Sequence, residues 1–221
     1  MPESDRPHWQ MHGILAPDVE DYVYSLLPER NAVLREMEDY ATEHEVPIVG
    51  PAVGRMLHLL ARIAGAKSIF EMGSAIGYST IWWALAVGDS GRVIYTDSDP
   101  KNAERARKWF EQAGVANRIQ IETGDSLDIL ARQKKQFDVV FNDVDKEAYP
   151  KVLKLAADFV RKDGLYIVDN TLWSGRVARA AEKGDQRTAA IVEHNKLLAK
   201  SNEWFSSLIA LRDGVSVAIR Q

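Results

Sequence analysis

Ser68-Ile69-Phe70-Glu71-Met72-Gly73-Ser74-Ala75-Ile76-Gly77-Tyr78-Ser79 is the stretch on which the fold turns. Its first residues, Ser68 to Met72, read as a short buried strand, and Ser79 to Val87 continues as a helix. Between them lie two glycines, which let a tight turn approach a ligand closely. A strand feeding a glycine turn and then a helix is the opening of a βαβ unit. The dinucleotide fingerprint G-x-G-x-x-G does not fit, because the glycines at 73 and 77 are four apart and Glu71 precedes them.

The same rhythm continues outward. Candidate strands Arg92 to Thr96, Ile119 to Glu122, Phe137 to Asn142 and Leu165 to Val168 alternate with helices Pro100 to Gln112, Ser126 to Arg132 and Tyr149 to Arg161. Repeated strand and helix predict an α/β fold with a parallel, doubly wound sheet. The C-terminal part differs. A helix from about Gln186 to Lys200 leads to Trp204 to Leu211 and Val215 to Arg220, joined by Arg212-Asp213-Gly214, which reads as an antiparallel hairpin. Upstream, Asp18 to Leu26 and Glu29 to Glu45 read as helices punctuated by Pro28 and Pro47, followed by an amphipathic helix from Val53 to Ala64. Residues 1–46 are expected to be a tail and helical prefix, and residues 47–221 one globular unit. Trp82 and Trp83 are expected to pack their helix against the sheet.

Composition narrows the function classes. Zero cysteines exclude disulfides, thiolate zinc sites and a cysteine nucleophile. A net charge of −4 gives no general attraction to phosphate backbones, so nucleic-acid binding would need a local basic patch. The cluster of Lys101, Arg105, Arg107 and Lys108 reads as a solvated helix face instead. No apolar run approaches the roughly 20 residues of a membrane span, and Met1 to Gln10 lacks the pattern of a secretory signal. The expectation is a cytoplasmic protein with no membrane association.

Charged residues appear where buried strands end. In an open parallel sheet, strand carboxyl ends form the ligand crevice. Asp97 ends the second strand, where a carboxylate can accept from two ribose hydroxyls, and Asp125 in Gly124-Asp125-Ser126 can accept from an adenine amino group. Asp143 follows the fourth strand, and Asp169-Asn170 follow the fifth. Three oxygen ligands at one place suit a hard divalent cation, magnesium first, with calcium or manganese as alternatives. Each residue has a plainer reading as well. Asp169-Asn170 alone could be turn residues, Asp145 could cap a helix starting near Glu147, Asp97 could open a turn, and Asp99 looks like an N-cap. Asp143 and Lys146, added to the pair, shift the balance toward a site. The five histidines are scattered without metal-ligand spacing, and none is assigned a role.

Taken together, Glu71-x-Gly73-x-x-x-Gly77-Tyr78-Ser79, Asp97, Gly124-Asp125-Ser126, Asp143-x-Asp145-Lys146 and Asp169-Asn170-Thr171-Leu172-Trp173 resemble the cation-dependent O-methyltransferases. That family includes the catechol and caffeoyl-CoA O-methyltransferases, and the likeness is to its bacterial and plant branch, over about Pro47 to Arg220. The resemblance implies a Rossmann-like class I methyltransferase fold, with a seven-stranded, mostly parallel sheet and the C-terminal hairpin. It also implies S-adenosylmethionine as donor. Val49, Glu71, Gly73, Ser79, Asp97, Asp125, Ser126, Asp143 and Asp145 would then hold the cofactor, and Asp143, Asp169 and Asn170 a metal. Lys146 would be the base, with Asp143 beside it in the catalytic set, while Lys146, Asn170 and Trp173 would face the substrate. The substrate implied is a small catechol-like aromatic. Some relatives methylate hydroxyuridine in transfer RNA with the same machinery, and a noncatalytic binding module is the other alternative. Family members also suggest a homodimer. Asn142 and Val144 depart from the pattern, which has an apolar residue before the first aspartate and alanine after it. Ala210-Leu211-Arg212-Asp213-Gly214 departs too, in lacking the proline and glycine that often precede the Asp-Gly turn. Arg187 and Asn195 fit an arginine-to-asparagine spacing on the penultimate helix, with their roles left open.

Overall fold

The structure is a computed structural model that describes residues 7–10, 14–179 and 184–221; residues 1–6, 11–13 and 180–183 lie outside the described residues, and with them part of the expected N-terminal tail. Seven strands form one sheet: β1 (Ser68–Met72), β2 (Arg92–Asp97), β3 (Ile119–Thr123), β4 (Phe137–Asn142), β5 (Val160–Val168), β6 (Trp204–Ile209) and β7 (Val215–Arg220). Their spatial order is β3-β2-β1-β4-β5-β7-β6. The first five are parallel, and β7 runs antiparallel to both β5 and β6. The expected C-terminal hairpin is therefore present, with its second strand inserted between its first and the parallel sheet.

Helices α1 (Pro17–Ser25), α2 (Ala32–Glu43), α3 (Gly50–Ile63), α4 (Tyr78–Val87), α5 (Pro100–Gln112), α6 (Ser126–Ala131), α7 (Tyr149–Phe159) and α8 (Gln186–Lys200) cover the sheet. Side-chain alternation along β4 feeds both layers. Val139 and Phe141 join a core with Met37 of α2, Val53 and Leu57 of α3, Trp83 of α4 and Phe110 of α5. Val140 joins the opposite core with Ile129 of α6, Val152 of α7 and Ile191 of α8. The prefix helix α2 thus shares the first core. No helix among the described residues is long and apolar enough to cross a membrane.

Several boundaries differ from the sequence reading, each for a local reason. Helix α2 begins at Ala32, because Asn31 caps it by accepting from Leu34 N. Helix α3 begins at Gly50, three residues before its first apolar-periodic residue, with Pro51 in its first turn. Helix α7 stops at Phe159 and β5 starts at Val160, which pairs with Phe137 ahead of a register shift. Asp163 there has a φ of 60°. Strand β6 stops at Ile209, so the hairpin loop runs over residues 210–214. Trp83 packs edge-on to Phe141 in the sheet as expected, with centroids 5.6 Å apart. Trp82 instead lies against α3, where a Cβ on Gly54 would fall 2.3 Å from its Nε1.

Candidate active site

The sheet order reverses beside β1, where β2 goes one way and β4 the other, and a crevice opens there. Register makes the strand ends level. Met72 pairs with both Thr96 and Asn142, and Asn142 pairs with Val168. Gly73, Asp97, Asp143 and Asp169 therefore leave the sheet side by side.

A cleft of about 710 Å³ occupies this place. Gly73, Asp97, Asp125, Ser126, Asp143, Asp145, Lys146, Asn170 and Trp173 all line it. Val49, Glu71, Ser79 and Asp169 stand behind its wall. Val49 is buried at the start of α3, next to Pro47 and Ile48, which do face the cleft. A larger groove, about 1110 Å³, lies between α7, α8 and the start of β6 and holds none of these residues.

On the β1–β3 side, polar groups are already oriented. Asp97 accepts from Ala75 N at 2.9 Å on one oxygen, and from Asp99 N at 2.9 Å and Asn102 Nδ2 at 3.1 Å on the other. Its carboxylate is thereby fixed at the rim. Asp125 uses one oxygen to cap α6 through Leu127 N and Asp128 N. The Ser126 hydroxyl pairs with Thr96 Oγ1 at 2.7 Å. Glu71, fully buried, accepts from Thr80 Oγ1 and from Trp83 Nε1. Desolvation pushes its carboxyl up to about 7, opposed by the Ser79, Thr80 and Ser74 hydroxyls. Asp99 caps α5 through Lys101 N, as the sequence suggested. Asp145 makes no side-chain cap bond, and its exposed carboxylate faces the cleft.

The β4–β5 side concentrates charge. Lys146 Nζ donates to Asp143 Oδ1 at 2.9 Å and to Val144 O at 3.2 Å. It also sits 5.1 Å from the Tyr149 ring centroid and 5.9 Å from that of Trp173. Desolvation raises the Asp143 carboxyl to about 6, with Asp169 adding to the rise and Lys146 opposing it. Asp169 is 1% exposed; its Oδ2 accepts from Arg212 at 2.8 Å, while its Oδ1 is buried with no hydrogen-bond partner. Asn170, at a φ of 57°, donates from Nδ2 to Asp213 Oδ2 at 3.2 Å, which fixes the amide and leaves its oxygen on the other side. Of these three side chains, Asp169 presents a buried oxygen with no donor to satisfy it, the character expected of a cation site. Among the described residues no three His, Cys, Asp or Glu side chains converge as a metal site, so a cation here would depend on the Asn170 amide.

Arg212 is the residue that sequence reasoning missed. Read as a hairpin turn, it is instead 6% exposed, with a φ of 51°. Its guanidinium donates to Asp169, to Trp9 O at 2.8 Å and to Ile48 O at 3.2 Å, joining the N-terminal segment to the cleft. Its neighbour Asp213 accepts from Ser174 N and Asn170. An arginine beside Asp-Gly carries no local signal for such burial. Arg187 lies on the cleft rim and pairs with Glu147 at 3.2 Å. Asn195 lies behind the cleft and donates to Thr171 O at 2.7 Å.

Comparison with known proteins agrees with this geometry. The profile described as O-methyltransferase matches residues 25–221. A catechol O-methyltransferase from Niastella koreensis is 35% identical over 173 residues, covering 76% of this chain and 78% of that protein. The caffeoyl-CoA O-methyltransferase of Petroselinum crispum is 29% identical over 209 residues, covering 89% and 87%. Among solved structures, the O-methyltransferase from Bacillus cereus in complex with SAH superimposes with a TM-score of 0.83 at 29% identity, covering 92% of this chain and 97% of that one. With the fold, the crevice and these likenesses in agreement, the chain belongs to the O-methyltransferase family.

Proposed function

We propose that this enzyme transfers the methyl group of S-adenosylmethionine to one of two vicinal hydroxyls on a small catechol-like aromatic, with a divalent cation, magnesium first, held in the cleft. The observation that carries the reading is the partnerless, buried Oδ1 of Asp169, beside Asp143 and Asn170 at a cleft walled by Trp173. Asp143, Asp169 and Asn170 would hold the cation through oxygen atoms. When bound, it supplies Lewis acidity that favours the phenolate over the phenol.

The chain's own residues account for the rest. The Bacillus cereus neighbour was solved with SAH, the demethylated product of the donor, which supports donor binding here. Asp97 would accept the ribose hydroxyls, and Asp125 has one oxygen left beyond its cap for the adenine amino group. Gly73, which lines the cleft, would lie beside the methionine part, and its missing Cβ lets the Asp143 backbone pack directly against it. Trp173 offers a planar wall to an aromatic ring. Lys146 Nζ would accept the phenol proton. S-adenosylmethionine would supply the methyl group, which the phenolate oxygen would take from sulfur with release of S-adenosylhomocysteine. Holding both reactants in one cleft supplies alignment.

Carboxylates at 97, 99, 125 and 145 crowd the rim, which favours a small molecule over transfer RNA. Exposed Phe205, Ile209 and Ile219 on the β6–β7 edge support a homodimer. The test is label transfer from S-adenosylmethionine to a catechol panel including caffeate, with magnesium or with chelator. Transfer that chelator abolishes is expected. Donor binding without transfer to any catechol would refute the substrate class, and transfer indifferent to chelator would refute the metal.

A further inference from the structure

Behind the cleft runs a line of buried side chains that the proposed chemistry does not use. Asn142 Nδ2 donates to Tyr166 Oη at 3.2 Å, and Tyr166 Oη meets His194 Nε2 at 3.3 Å. His194 Nδ1 meets Asn195 Oδ1 at 3.1 Å, and Asn195 Nδ2 donates to Thr171 O at 2.7 Å. Asn142, Tyr166 and His194 are each 0% exposed.

The donors and acceptors allow one consistent direction. Asn142 donates into the phenol oxygen, so the Tyr166 proton goes to His194 Nε2. His194 then carries its own proton on Nδ1 and donates to the Asn195 oxygen, whose amide nitrogen is already committed to Thr171. Every link donates forward, and His194 serves as a neutral imidazole; desolvation, which lowers its pKa to about 4, agrees with that form. Tyr149 adds a parallel strut. Its hydroxyl donates to Asp169 O at 2.9 Å, and its ring stands edge-on to His194 with centroids 5.6 Å apart.

The ends of this line carry its meaning. Asn142 immediately precedes Asp143, and Thr171 immediately follows Asn170. The line therefore ties the two loop segments that bear the candidate cation ligands to a single element, α8, which contributes none of them. We propose that Asn142, Tyr166, His194 and Asn195 form a brace that sets the relative position of Asp143 and the Asp169-Asn170 pair, so that these are positioning residues for the cation site. This rests on the metal reading above. Asn142 stands where the family resemblance leads one to expect an apolar residue, and its amide opens the line to Tyr166.

Outer partners that orient a metal's ligands typically change affinity by about 10- to 100-fold when removed. The experiment is a titration of the purified full chain with Mn2+, read by the electron paramagnetic resonance of the free ion, alongside S-adenosylhomocysteine binding and thermal melting. Two variants are compared with the parent. Tyr166→Phe removes one hydroxyl and breaks the line at its centre. The triple variant Asn142→Leu, Tyr166→Phe, His194→Phe replaces the three fully buried members by apolar groups, which leaves those positions without an orphaned donor. The expected result is at least a tenfold weaker Mn2+ affinity in both, with S-adenosylhomocysteine affinity within twofold of the parent and the triple variant melting near the parent temperature. Parent protein that takes up no Mn2+ would overturn the metal reading and the brace with it. Parent uptake with variants matching it within twofold would overturn the brace alone. Parallel loss of both affinities would reduce the line to a structural one, and overturns the proposal equally.

Discussion

Replacing Gly73 by alanine tests whether β1 and β4 meet as tightly as the cleft requires. A Cβ built there falls 2.4 Å from Asp143 O, 2.8 Å from Asp143 C and 3.0 Å from Val144 N. The first is roughly an ångström short of van der Waals contact. The obstacle is backbone rather than a flexible side chain, and it is pinned. Asp143 N donates to Met72 O at 3.0 Å, and Gly73 N to Thr96 O at 3.2 Å. The residue also has a φ of +79°, which costs an L-residue about 1–2 kcal/mol. Overpacking adds about 1–3 kcal/mol. The sum, about 2–5 kcal/mol, is a large part of a typical domain's stability of about 5–15 kcal/mol. Gly65→Ala is the matched control, because Gly65 has a φ of +60° with no atom within 4 Å of the added carbon. Urea unfolding of the parent and both variants separates the two terms, and S-adenosylhomocysteine binding reports on the cleft. Gly73→Ala should lose more stability than Gly65→Ala and bind poorly. If the two variants agree within about 0.5 kcal/mol, the ordinary scale of a surface substitution, β1 and β4 do not approach closely at Gly73.

Two further outcomes follow from the site. Glu71, raised from 4.5 to about 7 by burial, has a definite sign. Below pH 4.5 both folded and unfolded chains hold its proton, and as pH rises to 7 the unfolded chain loses it first, so folding stability falls by up to about 3 kcal/mol over that window. Glu71→Gln should remove that slope from urea midpoints measured against pH, and an unchanged slope would contradict the assignment. Lys146→Met should lower turnover by about 10²- to 10⁴-fold, the usual scale for a lost general base, while S-adenosylhomocysteine binding persists. Turnover within tenfold of the parent would remove Lys146 from that role.

Much of the sheet was legible because its strands are continuous apolar runs bounded by glycine and aspartate. Strands β1 and β4 and helix α5 match their sequence bounds, and α4 differs only in starting at Tyr78 instead of Ser79. Misplaced edges arose where capping, pairing or a bulge outweighed hydrophobic pattern. Asn31 delayed α2, and the pairing of Val160 with Phe137 extended β5 at the expense of α7. The cleft-lining residues were legible for a related reason: a charged side chain at the end of a buried strand is visible against its neighbours. Glu71 and Ser79 were singled out by the same motifs, yet they sit behind the cleft wall, since a motif gives positions along a chain and no depth.

What the sequence by itself determined, then, is periodic and local: alternating strands and helices, glycines at the first turn, and acidic residues at successive strand ends. Tertiary structure decided the rest. Only the folded sheet shows β7 beside β5 with β6 at the edge, because either strand of a hairpin could have joined it. Only folding buries Arg212, whose guanidinium reaches Trp9, Ile48 and Asp169 from a turn that looks solvent-exposed in sequence. The same holds for His194, an isolated histidine on a polar helix until β5 brings Tyr166 against it. Such contacts join residues tens to hundreds of positions apart, and their energy depends on burial and partner geometry that exist only after the chain has packed.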